Sequence, residues 1–471
     1  MKQFHNVQIF SIVDRILMKK TSRSHSTMPT PTTSPILISK CMVFPTQKSK
    51  IKSLRLSVSD ISWLACEYNL KGILLPYPPS ISFESLLTSL KKALASTLDH
   101  FYPLAGRLVT TPDGQISIAC NDAGVEFLAV DNAGLSVDDI LCPGEVPDSI
   151  KNLFTYDKLG DYEGHSIPLA AIKVTKLADG VFIAFCTNHS VADGLSHWDF
   201  INTFAEISRG APISTSPVFS RDTPLNPRAV LPFPPGGPTG KHPFGGDASL
   251  TERVFHFSGD AISKLKQRAN EGYSARSGGT EDRGGITSFQ SLCALMWRSI
   301  TRARQQTTLF RMSVDCRNRL EPRLDRHYFG NAILGAEIAA SAEDLLANDL
   351  SWGAGLIHET VATWDDSTVR RRVAEWEREP RAIPYDIAEG PTISVGSSPR
   401  FPIYEADFGW GRPLAVRSGR NNKFDGKITA FPAKEGHGGV VLEVALAPET
   451  MTRLEADSEL MQYASHSGSS L

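Results

Sequence analysis

Apolar positions along the chain follow two periodicities, and the sharpest change between them falls near residue 190. Val181-Phe182-Ile183-Ala184-Phe185-Cys186 is an unbroken apolar run after Asp179-Gly180. A short continuous run bounded by a turn signal predicts a strand buried on both faces. Beyond it, Trp198, Ile201, Phe204 and Ala205 recur at three- and four-residue spacing, which predicts a helix beginning near Ser196 that buries this stripe. The polar turn Thr187 to Gly194 lies between them, with His189 where the strand ends.

The same reading gives alternating strands and helices from Ile36 to about Gly210. Phe83, Leu86, Leu87, Leu90, Leu94 and Leu98 form a helical stripe with Ser82 as N-cap. Pro103 and Gly106 break it. Gln115 to Cys120 alternates like a strand after the Asp113-Gly114 turn, and Leu169 to Thr175 gives another. Residues 211 to 248 hold many Pro and Gly without apolar periodicity and read as a linker between domains. In the second half, Glu271 to Gly285, rich in glycine and charge, reads as a mobile loop. Thr287-Ser288 starts a helix with Phe289, Leu292, Cys293, Met296 and Ile300 as its buried stripe. Leu309 to Val314 and Val440 to Leu446 read as strands, and Pro448 to Leu460 as a final helix. The expected organisation is a disordered leader over 1–35, an N-terminal domain over 36–210, a linker over 211–248 and a C-terminal domain over 249–471.

Composition narrows the class. At 471 residues the chain exceeds what one core usually serves, so two domains are expected. Hydrophobic content of 41% with 21% charged residues is that of a globular protein. A net charge of -2 gives no global basic field for nucleic acid, which points to a small substrate. Seven cysteines without CxxC pairs favour a reducing compartment. No span approaches the ~20 apolar residues of a membrane helix. The leader carries Lys2, Arg15, Lys19, Lys20 and Arg23 against Asp14. Val7 to Met18 has the spacing of an amphipathic transit peptide, and the other reading is an upstream start ahead of Met28. A cytoplasmic monomer is expected.

Several segments carry candidate chemistry. His189 has three readings on its spacing alone: a satisfied structural histidine, a metal ligand with Asp193, or a general base. No Cys/His cluster supplies further ligands, so no metal is expected. Gly164-His165-Ser166 and Gly194-Leu195-Ser196-His197 do not fit the G-x-S-x-G elbow of a nucleophilic serine. Gly236-Gly237-Pro238-Thr239-Gly240-Lys241 mimics a phosphate loop, but its first glycine position falls on Pro235. Asp315-Cys316-Arg317-Asn318-Arg319 clusters charges after a strand. Asp407-Phe408-Gly409-Trp410-Gly411 sets two aromatics between glycines, which lets backbone approach backbone.

His189-Ser190-Val191-Ala192-Asp193-Gly194 together with Asp407-Phe408-Gly409-Trp410-Gly411 resembles the HXXXD and DFGWG signatures of the plant BAHD acyltransferase family. Tyr102 to Arg107, Ser288 to Trp297, Asp315 to Arg319 and Tyr328-Phe329-Gly330-Asn331 fit the same family, and the likeness runs from about Ile36 to Leu460. Ser397-Ser398-Pro399-Arg400-Phe401 looks most like a branch of uncharacterised acetyltransferase-like members.

The resemblance implies an α/β fold of two similar-sized CoA-dependent acyltransferase-like domains, each a mixed sheet with flanking helices, with a channel at their interface. It implies acyl transfer from acyl-CoA, a co-substrate and not a bound cofactor, to a hydroxyl or amine of a small metabolite, with His189 as general base. Asp193 is then structural, directed to an arginine, for which Arg317 and Arg319 are the candidates. Gly194, Asp407, Gly409, Trp410 and Gly411 are structural, with Trp410 as an oxyanion donor the lesser reading, and Ser288 is a candidate CoA contact. Without an elbow for Ser190, and with Cys186 inside an apolar strand, transfer is expected to be direct, with no acyl-enzyme. The alternative keeps the fold without CoA chemistry, as a lyase or a binding protein.

Overall fold

The computed structural model describes residues 34–141, 144–226, 230, 231, 233, 237, 249–277, 284–383 and 391–466. Most of the leader, most of the glycine-rich run at 236–241, most of the linker after residue 226 and residues 278–283 of the expected loop lie outside them. Two mixed sheets organise the rest. The first runs in the order Ile36–Val43, Val125–Asp131, Ala170–Lys176, Gly180–Thr187, Asn69–Pro76 and Ala415–Ser418. The second runs Ile333–Ala339, Leu309–Asp315, Thr392–Ser397, Lys427–Pro432, Val440–Leu446, Thr251–Phe257 and Ser465–His466. Each has helices packed against it, an α/β arrangement.

The apolar run at 181–186 is explained by cores on both sides. Every residue of Gly180–Thr187 is buried. Successive strand residues point to opposite faces, so Val181, Ile183 and Phe185 enter one core while Phe182, Ala184 and Cys186 enter another. Helices Phe83–Leu98 and Gly194–Ser208 cover the first of these faces, contributing Leu90, Leu94, Trp198, Ile201 and Phe204. Burying each such side chain contributes about 1.5–3 kcal/mol. The strand is thus held from both sides.

Chain order and sheet order part company at Ala415–Ser418. This short strand lies 164 residues after the start of Thr251–Phe257 in the second half, yet it pairs antiparallel with Asn69–Pro76 at the edge of the first sheet, Ala415 opposite Leu74. The second half therefore does not form one continuous block from 249 onward.

Two local expectations need correction. Glu271 to Ser277 is not loop: it completes helix Gly259–Ser277. Tyr273 packs on the second core and Arg276 pairs with Asp349 at 2.7 Å, so tertiary contacts override the glycine and charge content. The final helix is two, Pro448–Glu455 and Ser458–Met461, because Asp457 N-caps the second through Leu460 N. No helix among the described residues is long and apolar enough to cross a membrane.

Candidate active site

His189 is gripped through its backbone. Its N–H donates to Asp161 Oδ1 at 2.7 Å, and its carbonyl accepts from Asn331 Nδ2 at 2.8 Å. Asn331 is itself fixed on the buried Asp60, whose Oδ1 accepts from Asn331 N at 2.6 Å and Nδ2 at 2.9 Å. One clamp comes from each half of the chain. The indole of Trp63 then lies flat on the imidazole, with centroids 3.9 Å apart and planes 7° apart. Backbone and ring are both held without using a ring nitrogen.

Burial sets the protonation of this imidazole. Loss of hydration pulls the His189 pKa down to about 4, with Lys427 and Lys71 acting in the same direction and Asp193 and its own carbonyl opposing them. Nδ1 is buried without a partner on another residue. No hydrogen bond among the described residues occupies Nε2, so that nitrogen is the one open to act as the basic site. His197 behind it is also held neutral by burial, down to about 3, with Nδ1 at 2.8 Å from Thr187 Oγ1. Burial pushes the Asp161 carboxyl well above the usual range.

Asp193 turns away from His189 because it begins the next helix. As N-cap of Gly194–Ser208 it accepts from Ser196 N at 3.0 Å, while its other oxygen accepts from Arg317 Nη1 at 2.7 Å and Ala332 N at 3.1 Å. Both partners of this ion pair are 1% exposed at their side chains. Arg317 continues to Asp315 Oδ1 at 3.2 Å and Tyr328 O at 3.0 Å. Burial opposes its charge, but Asp193 and Asp315 together hold Arg317 above its usual pKa. Arg319, the other candidate partner, faces elsewhere. Its guanidinium donates to Val361 O at 3.1 Å and to Trp364 O, at the carbonyl-rich end of helix Leu350–Ala362. Two residues of a turn suffice to reverse the direction. Gly194 opens the helix beneath Phe401, and a Cβ there would stand 2.4 Å from Phe401 Cζ.

The segment Asp407 to Gly411 is a tight turn fastened to the far end of that helix. Asp407 Oδ1 accepts from Gly409 N at 2.8 Å and Gly411 N at 3.4 Å. Gly409 at φ +101° and Gly411 at φ +136° adopt backbone that a side chain would strain. Phe408 packs edge-on against Phe204 at 5.2 Å, and Asp407 O accepts from Arg209 at 2.6 Å. Phe204 and Arg209 lie ten and fifteen residues past Gly194, so at 1.5 Å per residue the turn sits roughly 15–22 Å from the helix start beside His189. Trp410 packs on Phe408 there. The turn feeds the chain into Ala415–Ser418 and hence into the first sheet. Ser288 lies in the first turn of helix Ser288–Arg304, half-buried, behind Thr287 as N-cap.

Comparison with known proteins places this arrangement. The Transferase family profile matches residues 36–461. The chain is 34% identical to the BAHD acyltransferase DCR of Arabidopsis thaliana, covering 90% of this chain and 92% of that protein, and 32% identical to an uncharacterised acetyltransferase of the same plant, covering 87% and 94%. It belongs to the BAHD acyltransferase family. Its fold is also that of vinorine synthase, at TM-score 0.72 and 21% identity over 92% of this chain and 99% of that one. Fusarium graminearum TRI101, solved with coenzyme A and T-2 mycotoxin, follows at TM-score 0.71 and 17% identity over 88% and 100%.

In this BAHD acyltransferase the site uses residues that neither signature contains. Trp63, Asp60, Asp161, Lys71 and Lys427 lie in segments where no motif or periodicity singles them out. Asn331 belongs to a block visible in sequence, Tyr328 to Asn331, but its hold on the His189 carbonyl appears only in three dimensions.

Proposed function

We propose that the protein transfers an acyl group from a CoA thioester directly to a hydroxyl or amine of a small molecule, with His189 as general base. The observation that carries this is an imidazole clamped by its backbone, held neutral by burial, with Nε2 free. A thioester is already activated, so the enzyme need only take the proton from the incoming nucleophile as it attacks, and one fixed imidazole can do so. Negative charge developing on the thioester oxygen would raise the basicity of His189 as the proton moves. Relatives support both acceptor types: the chain is 31% identical to an omega-hydroxypalmitate O-feruloyl transferase of Arabidopsis thaliana and 29% identical to an anthranilate N-benzoyltransferase of Dianthus caryophyllus. The coenzyme A complex of the structural neighbour TRI101 supports the donor, and Ser288 is a candidate contact for it. Asp193, Arg317, Gly194 and the Asp407 to Gly411 turn keep the site's shape.

Direct transfer follows from the inventory of nucleophiles. Ser190 is buried and its hydroxyl is spent on Asn188 Oδ1 at 2.5 Å. The Cys186 thiol lies inside the sheet against Thr155 O, and burial pushes its pKa up to about 12, which keeps it inert. Initial rates with a panel of CoA thioesters and pooled alcohols, phenols and amines should give intersecting lines, and His189→Ala should lower turnover about 10²–10⁴-fold with the fold intact. Parallel lines, or a protein mass increased by one acyl group, would refute direct transfer.

A further inference from the structure

Trp63 lies flat on the His189 imidazole, with centroids 3.9 Å apart and planes 7° apart, and the fold fixes that stack from both sides. A capping box between Ser57 and Asp60 sets the short helix Val58–Ile61. Just after it, Trp63 N donates to Asp60 O at 3.1 Å and Trp63 O accepts from Cys66 N at 2.7 Å. The same turn reaches His189 by two further routes. The Asp60 carboxylate holds Asn331, which donates to the His189 carbonyl. Cys66 O accepts at 2.7 Å from the backbone N–H of Asp161, whose carboxylate takes the His189 N–H. Indole and imidazole are thus set against each other by a closed circuit of hydrogen bonds and not by loose packing.

Acyl transfer would make this ring a cation for a time. As the acceptor's oxygen or nitrogen bonds to the thioester carbon, its proton passes to His189 Nε2; when the carbon–sulfur bond breaks, that proton goes to the departing CoA sulfur. Between those events the ring is positive where loss of hydration disfavours charge, which is costly without a partner. A carboxylate on the other ring nitrogen is the familiar answer, but Nδ1 is buried without a partner here. Asp193 is bound by Arg317 at 2.7 Å, Asp161 Oδ1 is engaged by the His189 backbone, and Lys71 and Lys427 act against a further cation. The group stacked on the ring is the electron-rich face of an indole. A cation within about 6 Å of the centre of a tryptophan ring is attracted to it, more strongly where water is excluded, and Trp63 is half-buried. The stack leaves Nε2 free, because the lone pair of a ring nitrogen lies in the plane of the ring.

We infer that Trp63 is a positioning residue that acts through His189, its indole face stabilising the imidazolium formed while the ring holds the proton. The inference rests on the reading of His189 as general base. The attraction acts on the charged ring far more than on the neutral one, so it lowers the barrier without tightening the binding of either substrate.

Fluorine on an indole withdraws density from its face with little change of shape. Tryptophan carrying zero to three ring fluorines is therefore incorporated into the full chain, which has seven tryptophans, and into Trp63→Phe, where position 63 cannot take the label. In the wild type kcat at pH 7 should fall stepwise, by about 3- to 30-fold in all, the range of a cation–π contact, with KM for both substrates little changed. In Trp63→Phe fluorination should leave kcat level, which accounts for the remaining tryptophans. The acid limb of kcat/KM should move to lower pH in the wild type alone, since a less stabilised cation gives up its proton more readily. A kcat indifferent to fluorination, or an equal decline in both backgrounds, overturns the inference and leaves the stack as packing. If no thioester turns over, the acyl-transfer reading fails separately; in that case, or if Trp63→Phe does not fold, the imidazole is followed directly by NMR titration of the chain labelled with 13C-histidine, its signal assigned by His189→Gln. The midpoint, which burial pulls down to about 4, should fall further by about 0.5–1.5 on full fluorination, the logarithm of the same range. An unmoved midpoint overturns the inference.

Discussion

Asp193→Ala removes the acceptor for Arg317 Nη1, Ser196 N and Ala332 N, at 2.7, 3.0 and 3.1 Å. Loss of the helix N-cap costs about 1 kcal/mol. Leaving a buried charge without its partner costs about 3–5 kcal/mol, here toward the lower end because Arg317 keeps Asp315 at 3.2 Å and Tyr328 O at 3.0 Å. A combined loss of about 4 kcal/mol corresponds to a melting temperature lower by roughly 8–16 °C, at about 2–4 °C per kcal/mol for a domain of some 200 residues. The assay is thermal unfolding at one fixed scan rate, since large chains unfold irreversibly. Asp193→Asn, which keeps the cap and loses the charge, should fall between. The pairing itself is tested by Asp193→Ala with Arg317→Met, which removes both charges and should regain a large part of the loss. A melting temperature for Asp193→Ala within about 2 °C of wild type would refute the reasoning, and so would a double variant no more stable than the single one.

Further outcomes follow from the same geometry. As the proposed base His189 must be neutral to act, and burial pulls its pKa to about 4, so kcat/KM should be level above about pH 6 and fall as pH drops through about 4; an acid limb centred near the ordinary histidine value of 6.5 would contradict the buried setting. The folded pKa values of His189 and His197 are both depressed, so their share of stability is present above about pH 6.5 and is lost as pH falls toward 4 and 3, read by urea titration at stepped pH. Gly194→Ala sets a Cβ 2.4 Å from Phe401 Cζ and should cost about 1–3 kcal/mol, with Phe401→Leu added to it restoring much of the stability. Trp63→Ala frees the imidazole face and should lower kcat about tenfold while KM changes less, with Trp63→Phe retaining most activity; equal loss in both variants, or none, would show that stacking does not position the ring.

Local physics made much of the protein legible in sequence. A continuous apolar run has to lie between two cores, so Val181 to Cys186 could be read as a doubly buried strand. Ser82 before the leucine stripe marked the start of Phe83–Leu98, and the glycines at 409 and 411 marked a turn that admits positive φ. These features depend on neighbours within a few residues, where spacing and backbone preference act directly. His189 and Asp193 stood out only through the paired HXXXD and DFGWG signatures, because spacing alone left three readings of His189 open. Tertiary structure decided what those residues touch. Arg317, and not Arg319, meets Asp193 from 124 residues away, because the direction of a side chain on a turn depends on what packs around it. Ala415–Ser418 crosses into the first sheet, and the Gly- and charge-rich stretch at 271–277 stays helical through its contacts with the second core. Trp63, Asp161 and Asn331 gather at His189 from strands and turns far apart in the chain, and long-range packing leaves no period in the sequence by which they could be found.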